Sequence, residues 1–251
     1  MKRIIDYFLM EWKTRTNRKP LLLRGARQVG KTHAIRTLGG QFENFIEINL
    51  ETNQAARKIV EKDLNPNRMI SQLSELLQKE INIGSTLLFF DEIQNVPSAI
   101  TALRYFYEQI PDLHVISAGS LLDFTIEQVG IPVGRVSSLY MYPMSFMEFL
   151  VASENIKWAK MILNHSTDIE MLEPVHEKLL ELVGEYLAIG GMPEAVKEWF
   201  ATKVSRSVKI VHSDLLDTYQ QDFGKYATKH QIKYLNLIFK KAIEQLKMMR
   251  R

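Results

Sequence analysis

Leu21 to Thr32, LLLRGARQVGKT, narrows the fold of this chain more than any other stretch. Three consecutive leucines without alternation predict a short strand buried on both faces. The residues that follow, KTHAIRTLGG, have helical spacing and close on two glycines. A buried strand passing directly into a helix belongs to a parallel sheet covered on both sides. The corner is also richer than a turn requires. Gly25 and Gly30 let the backbone wrap closely where a side chain would collide with a ligand, and helix-start N–H groups converge on anionic oxygens. Lys31 can reach the β and γ phosphates of a nucleotide, and the Thr32 hydroxyl is placed to ligate Mg²⁺. Gly25-x-x-x-x-Gly30-Lys31-Thr32 is thus the Walker A pattern, with the loop from Gly25 through Ala26, Arg27, Gln28, Val29, Gly30, Lys31 and Thr32 to His33 as its phosphate-binding surface.

The second chemical signal is LLFFDEIQ. Leu87 to Phe90 are apolar without alternation, so this strand too is expected to be buried, ending in Asp91 and Glu92. In an open α/β sheet, ligands bind at the carboxyl ends of the strands. Asp91 is therefore the expected Walker B ligand of Mg²⁺, acting through water because Mg²⁺ keeps much of its hydration shell. Glu92 is the expected general base, polarising the attacking water. A phosphotransferase supplies an acceptor hydroxyl and often needs no acid after the aspartate, so Glu92 favours a hydrolase over a kinase.

The rest of the first half alternates. NFIEINLE is a second strand, residues 54–80 are helical with a break near Asn65-Pro66, and a helix from Pro97 stops at Pro111. HVISAGS is a fourth strand and SLYMYPMS a fifth, followed by a helix with Ser145 as N-cap and Glu148 at its third position. Near the N-terminus, Ile4, Ile5, Phe8, Leu9 and Trp12 share a helical face. Past about Leu150 the strands stop, and EPVHEKLLELVGEYLAI, PEAVKEWFATK, RSVKIVHSDLLDTYQQDF and the tail from Lys229 read as helices. The expected architecture is α/β, a parallel sheet sandwiched by helices over residues 1–155, followed by an α-helical lid and the start of a further region over 156–251. The boundary is set at about Ser153–Asn164.

Composition excludes several alternatives. There are no cysteines, so disulfides and thiolate metal sites are ruled out, which fits a cytoplasmic location. No apolar run approaches the roughly 18 residues of a membrane span. The formal charge of +3 is too small to imply nucleic acid by itself. His33, His114, His165, His176, His212 and His230 lack metal-ligand spacing. The basic residues near the end, Lys240, Lys241, Lys247, Arg250 and Arg251, read as a solvated helix face, with nucleic acid as the alternative partner. The chain stops within an amphipathic helix with no cap, which suggests an interrupted chain.

With RKPLLLRGARQVGKT, FIEINLE, LLFFDEIQ, ISAGSLL, GRV before YPMSFMEF, and GGMPEAV in order, the sequence resembles the AAA+ superfamily. More closely, it resembles bacterial and archaeal predicted ATPases whose AAA+ core precedes a C-terminal domain of unknown function. The resemblance implies ATP rather than GTP as the nucleotide, and a winged-helix-like segment with a further domain beyond Arg251. It implies a γ-phosphate sensor at Ser120, with Ser117 competing; a helix N-cap is the alternative role for Ser120. It implies an arginine finger at Arg135 acting on a neighbouring subunit of a homo-oligomer, the alternative being a solvated loop arginine. It also implies that Gly191 and Pro193 approach the adenine end, although helix termination at Gly190-Gly191 and initiation at Pro193 explain those residues equally. The expected function is Mg²⁺-dependent ATP hydrolysis driving a conformational or regulatory step. The alternative is a slow nucleotide-dependent switch acting on nucleic acid or a protein.

Overall fold

The computed structural model describes residues 1–120, 122, 130, 132–166, 168–226 and 229–248. Five strands form one parallel sheet: β1 (Leu21–Arg24), β2 (Asn44–Asn49), β3 (Thr86–Asp91), β4 (His114–Ala118) and β5 (Ser137–Tyr140). Their order is β2-β3-β4-β1-β5. Leu22 of β1 lies opposite Ser117 of β4 and Ser138 of β5, and Phe90 of β3 pairs with Ile48 and Ser117. All five strands therefore present their carboxyl ends on one edge. The connection β1 to β2 crosses two strands in one direction and β4 to β5 crosses β1 in the other, so the direction of winding changes at β1.

Successive side chains of a strand face opposite sides, which divides the core in two. Leu22, Ile46, Ile48, Leu88, Phe90 and Val115 face α3 (Gln54–Lys62), α4 (Pro66–Leu77) and α5 (Pro97–Gln109). Leu21, Leu23, Leu87, Phe89, Ile116 and Ala118 face α1 (Ile4–Thr14) and α2 (Lys31–Gly39). Two covered faces explain why β3 and β4 are buried at every position.

The face of α1 is narrower than its sequence suggests. Ile5, Leu9 and Trp12 are buried, while Ile4 and Phe8 are exposed, because α1 lies on one flank of the sheet and turns its Ile4–Phe8 stripe away. α6 (Phe146–Ala152) begins with the expected capping box: Ser145 Oγ accepts from Glu148 N at 3.3 Å and Glu148 Oε2 accepts from Ser145 N at 2.9 Å.

The region expected to divide the chain is itself structured. Ile156–Asn164 is a helix, α7, whose Ala159 packs with Leu150 and with Leu182 of α8 (Glu173–Ile189). Two compact units result, Met1–Pro193 and Glu194–Arg251. The helices α6, α7 and α8 share that apolar cluster within the first unit. The remaining helices are α9 (Pro193–Thr202), α10 (Ser205–Tyr226) and α11 (Lys229–Met248), with Phe223 of α10 edge-on to Phe239 of α11. Among the described residues, no helix is long and apolar enough to cross a membrane.

Candidate nucleotide site

The loop between β1 and α2 follows a path that ordinary residues resist. Gly25 has φ 143°, Gln28 64° and Gly30 101°. A Cβ on Gly25 would lie 2.1 Å from the carbonyl oxygen of Met141, so glycine is required there for space as well as for conformation. Val29 is fully buried and anchors the loop, whereas Ala26 and Gln28 are exposed. Lys31 starts α2 and is 8% exposed. Its Nζ donates to the carbonyls of Gly25 at 2.9 Å and Ala26 at 2.8 Å, so the ammonium sits inside the loop's curve. Burial pulls the Lys31 pKa below the usual lysine value, and the nearby Glu92 and Asp91 carboxylates oppose that shift.

Walker A and Walker B meet directly. Thr32 Oγ1 donates to Asp91 Oδ2 at 3.0 Å, joining residues 59 positions apart. Asp91 Oδ1 accepts from Glu92 N at 3.0 Å. Burial raises the Asp91 pKa, and the Thr32 hydroxyl only partly offsets this. Glu92 follows in a left-handed conformation, φ 53°, which turns the chain out of the strand. Its Oε2 accepts from the Gln94 side-chain amide, and its carbonyl accepts from Asn95 Nδ2 at 3.0 Å. A hydroxyl and a buried carboxylate in contact are suitable donors for Mg²⁺, which needs few protein ligands once substrate phosphates and water complete its shell. Among the described residues there is no cluster of three or more His, Asp or Glu side chains that could hold a metal by themselves.

The other expected residues divide into near and far. Ser117 and Ser120 are both buried, and neither hydroxyl has a hydrogen-bond partner among the described residues. Ser117 pairs in register with Phe90, one position short of Asp91, whereas Ser120 lies beyond the end of β4 on the carboxyl edge. The segment that Ser120 is expected to cap, residues 121–129, lies outside the described residues except for Leu122. Pro193 stands close to the loop, its Cγ 3.9 Å from where a Cβ on Gly30 would be. His33 is exposed on the first turn of α2.

Arg135 lies at the opposite edge, before the first residue of β5, about 13 Å of strand away from the carboxyl ends. There its Nε donates to Glu108 at 3.0 Å, which Arg104 also contacts at 3.0 Å. Any effect of Arg135 on a phosphate site would therefore be on a second copy's site.

Two side chains near the loop had no sequence signal for a role there. Arg3 Nη1 donates to the carbonyl of Val29 at 3.0 Å, and Arg3 Nε to Glu148 Oε1 at 2.8 Å. Glu148 was legible only as a capping residue, and nothing around Arg3 marked it. Gln94, which engages Glu92, was visible only as the residue closing LLFFDEIQ.

Comparison with known proteins agrees with this geometry. Residues 17–150 match the family described as AAA domain, and residues 180–249 match a domain of unknown function, DUF8612. The uncharacterized protein MJ1637 of Methanocaldococcus jannaschii is 27% identical over 213 residues, covering 78% of this chain and 44% of that protein. The chain thus spans less than half the length of that relative. The Walker-type ATPase paby2304 of Pyrococcus abyssi is 16% identical with a TM-score of 0.49, covering 94% of this chain and 75% of the other. PCH-2 of C. elegans is 11% identical with a TM-score of 0.40, covering 77% and 59%. The AAA domain match spans more than half of the chain, over the same residues that build the sheet and its loop. The chain belongs to the AAA domain family, as a P-loop core followed by a domain of unknown function.

Proposed function

We propose that the chain binds ATP with Mg²⁺ at the β1–α2 loop and hydrolyses it. The observation that carries this reading is the Thr32–Asp91 hydrogen bond, which joins the two motifs beside the buried ammonium of Lys31. The backbone amides of residues 25–33 and Lys31 bind the β and γ phosphates. Thr32 and Asp91 would hold Mg²⁺, which would supply neutralisation of the phosphate charge. Glu92 takes a proton from water as its oxygen bonds to the γ phosphorus, while the bond to the β–γ bridging oxygen breaks and ADP leaves. Ser120 senses the γ phosphate, with Ser117 as the competing residue, and Pro193 borders the adenine end. Arg135 serves as a finger in a neighbouring copy.

The same proposal assigns residues 1–155 to the nucleotide-binding domain and 156–251 to the helical lid with the start of a further region. It also assigns a cytoplasmic location, supported by the lack of cysteine. A nucleotide-driven conformational step is the output.

A slow switch is the second reading. It is favoured by the contacts that occupy the catalytic candidates: Gln94 on the Glu92 carboxylate and Glu108 on Arg135. Glu92→Gln separates the two. Hydrolysis predicts that this variant binds Mg·ATP normally while turnover falls by about 10²–10⁴. A switch predicts single-turnover hydrolysis slower than nucleotide release in the wild type, and little further loss in the variant.

A further inference from the structure

The peptide between Val29 and Gly30 needs an external constraint. Gly30 accepts both positive and negative φ readily, so this peptide plane could rotate at little cost in backbone energy. In a planar trans peptide, the carbonyl of one residue and the N–H of the next point in opposite directions. Fixing the Val29 carbonyl therefore fixes the direction of the Gly30 N–H, one of the donors at the start of α2.

Arg3 supplies that constraint. Its guanidinium donates to three acceptors far from it in sequence: Nη1 to Val29 O at 3.0 Å, Nη2 to Tyr142 O at 2.8 Å and Nε to Glu148 Oε1 at 2.8 Å. The Arg3 and Glu148 side chains are only 7% and 8% exposed. Glu148 is held in turn, Oε1 accepting from Ile4 N at 2.8 Å and Oε2 from Ser145 N at 2.9 Å. Burial alone would raise the Glu148 pKa, but Arg3 and these two backbone donors bring it below the usual carboxylate value, so the pair is charged at neutral pH. A planar guanidinium with several donors in a fixed fork can hold three acceptors at once, which a lysine ammonium on a flexible stem does less well.

We propose that Arg3, oriented by Glu148, is a positioning residue that holds the Val29 carbonyl away from the phosphate side and so aims the Gly30 N–H at the phosphates. This rests on the reading of the loop as a nucleotide site, and it names a residue outside both Walker motifs on which phosphate affinity depends.

The test is Arg3→Lys, read in two ways on the full chain. Amide hydrogen exchange at Gly30 and Lys31 is measured without nucleotide, and the Mg·ATP dissociation constant is measured well below the melting temperature. The expected result is exchange at least about tenfold faster at those amides and affinity weaker by about tenfold, the scale of one lost charge-assisted hydrogen bond. If Arg3→Lys does not fold, Arg3→Gln with Glu148→Gln removes both buried charges together and carries the same two readouts. A folded variant with a lower melting temperature but wild-type exchange and affinity would overturn the proposal, leaving Arg3 a purely structural residue. A wild-type chain that binds no Mg·ATP would overturn the nucleotide reading instead, and the exchange measurement would still decide whether Arg3 orders the loop.

Discussion

The two edges of the sheet use burial in opposite ways. At the carboxyl edge, burial holds the Lys31 ammonium inside the loop and Asp91 against Thr32, with the buried Ser120 beyond the end of β4. At the amino edge, burial keeps a titratable group neutral. His114 opens β4 with its ring edge-on to Trp12 at 5.9 Å and Phe42 at 4.7 Å, and its Nε2 lies 3.4 Å from the Lys13 carbonyl. Desolvation, with help from Arg18, pulls its pKa down to about 4. Arg135, before β5 at the same edge, is exposed and paired with Glu108. One edge thus concentrates charge in a form that a charged ligand would complete, and the other closes on itself.

The largest effect that could break this contrast is at the carboxyl edge. Gly25→Ala would place a methyl 2.1 Å from the Met141 carbonyl at a φ of 143°, so the loop must move. A stability loss of at least about 2 kcal/mol is expected, together with loss of nucleotide binding, measurable by thermal unfolding and titration. Wild-type binding by this variant would show that the loop path is not what holds the phosphates.

A smaller effect sharpens the amino edge. Because the folded His114 pKa lies below the unfolded value of 6.5, its contribution is fully present above pH 6.5 and is lost as pH falls toward about 4. At roughly 1.4 kcal/mol for each unit between the two values, up to about 3 kcal/mol disappears across that window. His114→Leu should flatten the pH dependence of unfolding between pH 6.5 and 4. An unchanged slope would mean that His114 titrates alike in the folded and unfolded chains.

The smallest expected change in folding comes from Arg135→Ala. Its ion pair is exposed, so melting should scarcely move. A large drop in turnover in that variant, with intact binding, would identify a residue acting on a neighbouring copy. Unchanged turnover would leave Arg135 a surface residue.

Both corners at the carboxyl edge were legible because each is written in consecutive residues: LLLRGARQVGKT and LLFFDEIQ each run from the strand through the turn with the reactive groups. The sheet followed from apolar runs without alternation, and Ser145–Glu148 from a capping pattern three residues long. Contacts made across the chain were not legible. Arg3 and Glu148 are separated by 145 positions, and no periodicity links them. The Ile156–Asn164 helix was missed because the boundary was set across it, at Ser153–Asn164. The α1 stripe was read too wide because sequence spacing marks which residues share a face but not how much of it is covered.

The most direct measurement is a titration of the chain with Mg·ATP, with phosphate release followed on the same sample, for wild type and Lys31→Ala. Saturable binding that Lys31→Ala weakens by about a hundredfold or more, with phosphate release that disappears in the variant, is the result this account predicts. Equal binding by the two proteins, or none by the wild type, would contradict it.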